Sequence, residues 1–261
     1  MYKCIYVLLA VSVLSLTTLS ATAQSSQSGD ASDSKVAASA ETVGSTVFNR
    51  GVGGNNSANL LARVDAQVVA LKPDLVVLMV GTNDMLNSGN SVPLDKYEAN
   101  LNTLADKITG SGSRLVLMTI PPCHEPLLLT RHPAEFYARR SPGEKIEDAN
   151  RVIRRIAKER KIPLVDLHRL FDRVGAVGES PESLIRNPAN SGASDGVHPT
   201  PDGYRMIAVA VYQAICDHDL PTGRVVCFGD SITFGSGASQ PGTTQGESYP
   251  AWLQRLLEPA K

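Results

Sequence analysis

The chain has 261 residues, with 25 Lys and Arg against 26 Asp and Glu, a formal net charge of −1, 42% apolar and 20% charged residues. That length buries a full core, and the balance is ordinary for one soluble globular domain with extensions. No basic stripe or long charge run points to nucleic acid or an anionic membrane surface, so neither is expected as a partner.

Residues 1–23 read as a signal peptide. Lys3 supplies the positive start, Ile5 to Leu19 an apolar stretch broken by Ser12, Ser15, Thr17 and Thr18, and Ala21-Thr22-Ala23 an A-x-A cleavage pattern. Cys4 precedes the apolar core, the wrong place for a lipobox cysteine. No later stretch is long and apolar enough to span a bilayer, so a secreted or periplasmic protein without stable membrane insertion after cleavage is expected. Residues 24–44 are rich in Ser, Ala, Gly and Asp and carry no aromatic side chain, the composition of a disordered linker. The folded domain is expected over residues 45–261. Three cysteines remain after cleavage, Cys123, Cys216 and Cys227. The odd number rules out full pairing within the chain, and a disulfide between two of them is left open.

Within the domain, strands and helices alternate. Thr46 to Phe48 is a short strand leading into the glycine-rich Asn49-Arg50-Gly51-Val52-Gly53-Gly54-Asn55-Asn56. Ser57 to Leu71 has helical apolar spacing at Leu60, Leu61, Val64 and Val68. Asp74 to Val80 is a continuous apolar run, as in a strand covered on both faces. Leu94 to Ile108 is helical, Arg114 to Thr119 a second buried strand, Glu144 to Arg160 a helix with a charged outer face, and Ile162 to Asp166 a short strand. Asp202 to Asp217 is a helix, Arg224 to Phe228 the last strand and Ser248 to Leu257 the last helix. Such alternation implies a mostly parallel sheet with helices on both faces, an α/β fold. Residues 121–142 and 171–194 read as long loops, which in a compact domain are often functional.

Four stretches carry chemistry. Ser231 follows the Arg224 to Phe228 strand in a tight turn, where an open α/β sheet places its site. A serine hydroxyl needs a general base within hydrogen-bond reach. Asp195-Gly196-Val197-His198 supplies one: a carboxylate three residues before an imidazole folds back onto the ring nitrogen facing away from the serine. A metal site from Asp195, His198 and Asp202 is the rival reading, but no second histidine stands at ligand spacing. Gly81-Thr82-Asn83-Asp84 sits at a strand's carboxyl end, where the Asn83 amide can face a developing oxyanion, although an ordinary Asn-Asp turn has the same sequence. The glycine-rich stretch lacks the Gly-Lys-Ser/Thr ending and the G-x-G-x-x-G spacing of phosphate cradles, so a second oxyanion donor is its better use.

Together these stretches resemble the four blocks of the SGNH (GDSL-type) hydrolases, esterases and lipases of flavodoxin-like, three-layer fold. Gly229-Asp230-Ser231-Ile232 is similar to the serine block, Asn49 to Gly54 to the glycine block, Gly81 to Asp84 to the asparagine block and Asp195 to His198 to the Asp/His block. The family's order puts serine first. Here serine is last, and moving Val225 to Lys261 ahead of Val47 restores the order, so the chain resembles a circular permutant. The resemblance implies Ser231, His198 and Asp195 as the catalytic triad, an oxyanion hole of Ser231, Gly54 and Asn83, and no metal or organic cofactor. The G-x-S-x-G elbow of α/β-hydrolases is absent. The Gly229 to Gly235 sequence is most similar to bacterial carbohydrate acetylesterases, so the implied substrate is an acylated small molecule or glycan such as acetylated xylan. A lysophospholipase or thioesterase, and a glycan-binding relic without activity, are the alternatives.

Overall fold

The computed structural model describes residues 46–175 and 177–258. The signal peptide and linker expected at 1–44 lie outside the described residues.

The elements run β1 (Thr46–Gly51), α1 (Ser57–Gln67), β2 (Leu75–Met79), α2 (Thr82–Leu86), α3 (Leu94–Gly110), β3 (Arg114–Met118), α4 (Glu125–Leu129), α5 (Pro142–Arg160), β4 (Leu164–Val165), α6 (Leu167–Val174), α7 (Pro188–Ser191), α8 (Pro201–Asp217), β5 (Arg224–Gly229), α9 (Ser231–Phe234) and α10 (Tyr249–Leu257). Helix starts follow their caps. Asn56 and Asn59 form a reciprocal capping box on α1, and Ser141 with Glu144 does the same on α5, with Pro142 in its first turn.

The five strands are parallel and ordered β1-β5-β2-β3-β4. The last strand in sequence is thus interior, with Val225 opposite Val47 on one side and Leu75 on the other. Its side chains alternate between two cores. Val226 and Phe228 join Leu60, Val64, Leu101, Leu104 and Ile153 on the face covered by α1, α3 and α5. Val225 and Cys227 join Ile207, Val211, Ile215 and Leu253 on the face covered by α8 and α10. Every residue of β2, and every residue of β5 after Arg224, is buried, as the unbroken apolar runs require.

Several boundaries differ from expectation, each for a local reason. β1 continues to Gly51, because Asn49, Arg50 and Gly51 pair with Cys227, Phe228 and Gly229; polar side chains had hidden the extension. The helix expected over 57–71 breaks at Val68 into a 3₁₀ turn (Val69–Leu71) that ends on Lys72 at φ 48°. The two long loops hold α4, a 3₁₀ turn (Ala134–Tyr137), the second half of α6 and α7, too short to leave a clear period in the sequence.

Candidate active site

The carboxyl ends of β5, β2 and β1 lead into the candidate site. β5 ends at Gly229, and Asp230 caps the single turn α9 by accepting from the Ile232 N–H at 2.9 Å. Ser231 is thereby fixed at the start of that turn, buried except for its edge on a small pocket. Residues 195–198 reach it from the segment before α8. His198 Nε2 lies 2.9 Å from Ser231 Oγ, and His198 Nδ1 lies 2.9 Å from Asp195 Oδ2 and 3.0 Å from Oδ1. The Val197 and His198 backbone N–H groups each donate to Asp195 Oδ1 at 3.0 Å. Burial pushes the Asp195 carboxyl up, but the His198 hydrogen bond and charge and the two backbone donors outweigh it and hold the group at about 2. With Nδ1–H directed at this carboxylate, the Nε2 lone pair faces the serine hydroxyl, the arrangement a general base needs.

Asn83, in α2 just beyond β2, shares the pocket wall with Ser231 and His198. Its Nδ2 donates to the Asn55 carbonyl at 2.9 Å and its Oδ1 accepts from Asn87 Nδ2 at 3.2 Å, which leaves one amide hydrogen for a ligand. Gly54 is placed differently. It lies exposed at φ +76° in the turn after β1, a conformation that favours glycine, and its carbonyl accepts from Asn90 Nδ2 at 2.6 Å. It does not line the pocket, although its neighbour Asn55 anchors Asn83. The four loops therefore bring Ser231, His198, Asp195 and Asn83 together and leave Gly54 at the rim.

The pocket is about 80 Å³, with Leu86, Leu128 and Val197 as its apolar lining and Asn87, Arg131 and His132 as polar lining. Two hydrogen bonds hold residues of its wall. Ser88 Oγ lies 3.1 Å from His132 Nδ1, and the Tyr137 hydroxyl donates to the Leu86 carbonyl at 2.6 Å.

Sequence reasoning missed the groups that brace these loops. Arg63 in α1 donates to the Asn55 side chain at 2.8 Å, the Arg50 carbonyl at 2.9 Å and the Gly229 carbonyl at 2.7 Å, with its guanidinium 4.5 Å from the Phe228 ring centroid. Burial lowers Arg63 to about 10, opposed by the Asp230 charge, so it stays cationic at neutral pH. Asp84 accepts from the Ser57 N–H at 3.0 Å and from the Ser57 hydroxyl at 2.5 Å, tying the asparagine loop to α1. On Asp195, Arg186 Nη1 reaches Oδ2 at 3.2 Å and Arg131 Nη1 donates to the backbone carbonyl at 2.7 Å. Only the Asn-Asp pair carried a local signal; the arginines leave none. Burial also pushes Asp230 up to about 6.

An acetylxylan esterase from Geobacillus stearothermophilus is 30% identical over 180 residues, covering 66% of this chain and 73% of that protein. An uncharacterized lipoprotein of Bacillus subtilis is 28% identical over 183 residues, covering 66% of this chain and 72% of that protein. The crystal structure of a GDSL-like lipase from Bacteroides thetaiotaomicron matches with a TM-score of 0.51 at 27% identity, over 65% of this chain and 75% of that one. The sequence profile of the GDSL-like lipase/acylhydrolase family matches residues 19–206, nearly three quarters of the chain, and stops short of Ser231. On that match and the parallel α/β sheet that carries it, the chain belongs to the GDSL-like lipase/acylhydrolase family.

Proposed function

We propose that this protein is an exported serine esterase that removes acetyl groups from carbohydrate, acetylated xylan among the substrates, through an acyl-enzyme on Ser231. The observation that carries the reading is the continuous hydrogen-bonded line from Asp195 through His198 to Ser231 Oγ. His198 Nε2 takes the hydroxyl proton as Oγ attacks the ester carbonyl. The carbonyl oxygen becomes an oxyanion held by the Asn83 amide and the Ser231 backbone N–H, the two donors that line the pocket. The tetrahedral intermediate collapses, the alcohol leaves with the proton from His198, and water activated by His198 releases acetate. Asp195, kept ionised at about 2, stabilises the imidazolium formed in both halves of the cycle.

A pocket of about 80 Å³ beside Ser231 and His198 supports a short acyl group. The acetylxylan esterase among the relatives supports the alcohol side. We infer as well that the chain is a circular permutant. β5 lies between β1 and β2, the family match ends before the serine block, and α10 returns to the first strand through the Val47 N–H donating to Gln254 Oε1 at 2.7 Å.

The test is hydrolysis of aryl esters from acetate to decanoate by wild type and Ser231→Ala, with acetate release from acetylated xylan alongside. The reading expects fastest turnover on acetate, acetate release from xylan and loss of several orders of magnitude in the variant. Faster hydrolysis of decanoate than of acetate would replace it with the lipase reading. Near wild-type turnover by Ser231→Ala would remove Ser231 as nucleophile.

A further inference from the structure

We propose that Arg186 is a positioning residue that locks the Asp195 carboxylate to the serine-bearing turn and sets the electrostatic field in which His198 accepts its proton. This rests on the triad reading above and adds a residue outside all four blocks. Three observations carry it. The Arg186 side chain is four-fifths buried, and its Nη1 donates to Asp195 Oδ2 at 3.2 Å, the same oxygen that faces His198 Nδ1. Its backbone runs alongside the Asp/His loop: the Arg186 N–H donates to the His198 carbonyl at 2.9 Å, and the Gly196 N–H donates to the Arg186 carbonyl at 2.9 Å. Its guanidinium also lies over Gly237, six residues after the nucleophile, so closely that a Cβ built there would overlap Nη1, Cζ and Nε. One residue thus touches the acid and the loop of the nucleophile with its side chain and the loop of the base with its backbone.

The consequence is a balance of charge. Asp195 favours the imidazolium, and an adjacent cation offsets part of that effect. The other charged or titratable groups facing His198 are Asp230 from the β5–α9 turn and, across the pocket, Arg131 and His132 after α4. Arg131 is the weaker partner of Asp195: its Nη1 is 3.6 Å from Oδ1, and the side chain is more exposed. Arginine suits the inner position because its rigid fork can hold Asp195 while its flat face covers Gly237, which lysine cannot do.

The experiment compares wild type, Arg186→Met, Arg186→Lys and Gly237→Ala by kcat and KM on an aryl acetate and by the pH profile of kcat/KM, with Ser231→Ala as control. Removing the cation strengthens the pull on the imidazolium proton, so the acid limb should move to higher pH, by about half a unit or more in Arg186→Met. In the same variant kcat should fall roughly tenfold or more while KM stays within about twofold, the sign of a contact that acts in the transition state. Arg186→Lys should return the acid limb toward wild type without restoring kcat. Gly237→Ala keeps the charge but pushes the guanidinium away; because φ +86° strains any side chain there, its readout is the acid limb, which should move in the same direction even if Arg186→Met does not fold. An unchanged acid limb and kcat in Arg186→Met and Gly237→Ala, with Ser231→Ala inactive, would overturn this inference and leave the triad standing. Activity in Ser231→Ala would overturn the triad instead.

Discussion

Asp230 combines complete burial with a charge the fold does not fully compensate. Oδ1 accepts from the Ile232 N–H, whereas Oδ2 makes no hydrogen bond of ordinary geometry, and the Thr82 hydroxyl near it favours the charged form only in small part. Burial therefore raises the carboxyl from the usual 3.8 to about 6, with the nearby Asp84 charge adding to the rise. A group whose folded pKa lies above its unfolded value contributes stability that is complete below the unfolded pKa. That contribution is lost as pH rises through the folded pKa. Two pH units correspond to about 3 kcal/mol as an order of magnitude, spread between about pH 4 and 6. Asp230→Asn removes the titration while keeping the shape and the capping oxygen, and its new amide can donate to the otherwise unpaired Thr82 hydroxyl. Urea unfolding of both proteins at unit steps from pH 4 to 8 measures the difference, with all other titrating groups common to the pair. The variant should gain stability relative to wild type by about 3 kcal/mol over that range, most of it below pH 7. A difference that stays flat, or that moves the other way, would refute the argument that Asp230 ionises against its surroundings.

Asn83→Ala should lower kcat about a hundredfold or more with little change in KM, because an oxyanion donor acts on charge that develops in the transition state; a raised KM at constant kcat would make it a binding residue. Asp195→Asn should lower kcat roughly a thousandfold or more by losing the tautomer and the imidazolium partner, and steady-state kinetics with a full pH profile checks it. Phe228→Ala, at a fully buried β5 position, should cost about 3–5 kcal/mol and lower Tm by roughly 10 °C or more in calorimetry. A chain rebuilt with residues 224–258 joined ahead of residue 46 should fold and keep near wild-type kcat on an aryl acetate. A soluble but inactive product would count against the permutation.

What the sequence revealed divides along physical lines. Strands buried on both faces announce themselves as unbroken apolar runs, so Leu75–Met79 and Val225 to Phe228 were readable, and Ser231 followed from the turn after the latter. Asp195 and His198 share one turn of chain, so their contact was also legible. Asn49, Arg50 and Gly51 were not recognised as strand, because their pairing with β5 depends on residues from the other end of the chain. Arg63 and Arg131 were missed for the same reason, since each reaches across the fold; Arg186 is near Asp195 in sequence, but an arginine in a helix or loop reads as a solvated charge. Gly54 was chosen from its motif, and the left-handed turn it needed is present, yet the pocket wall is formed by Asn83 and not by Gly54.

The interior position of β5 has a further consequence for how the molecule is made. During synthesis β1 and β2 leave the ribosome well before the strand that must lie between them. Until it arrives, neither can complete its sheet, and the interlock of Val47 with Gln254 spans 207 residues. Such long-range pairing is slow to form, and unpaired strand edges invite the wrong partner. The sheet of the nascent chain thus stays incomplete until β5 is made. A chain stalled or clipped before residue 224 loses nucleophile and keystone together, so quality control needs no inspection of the active site: what cannot fold cannot cut.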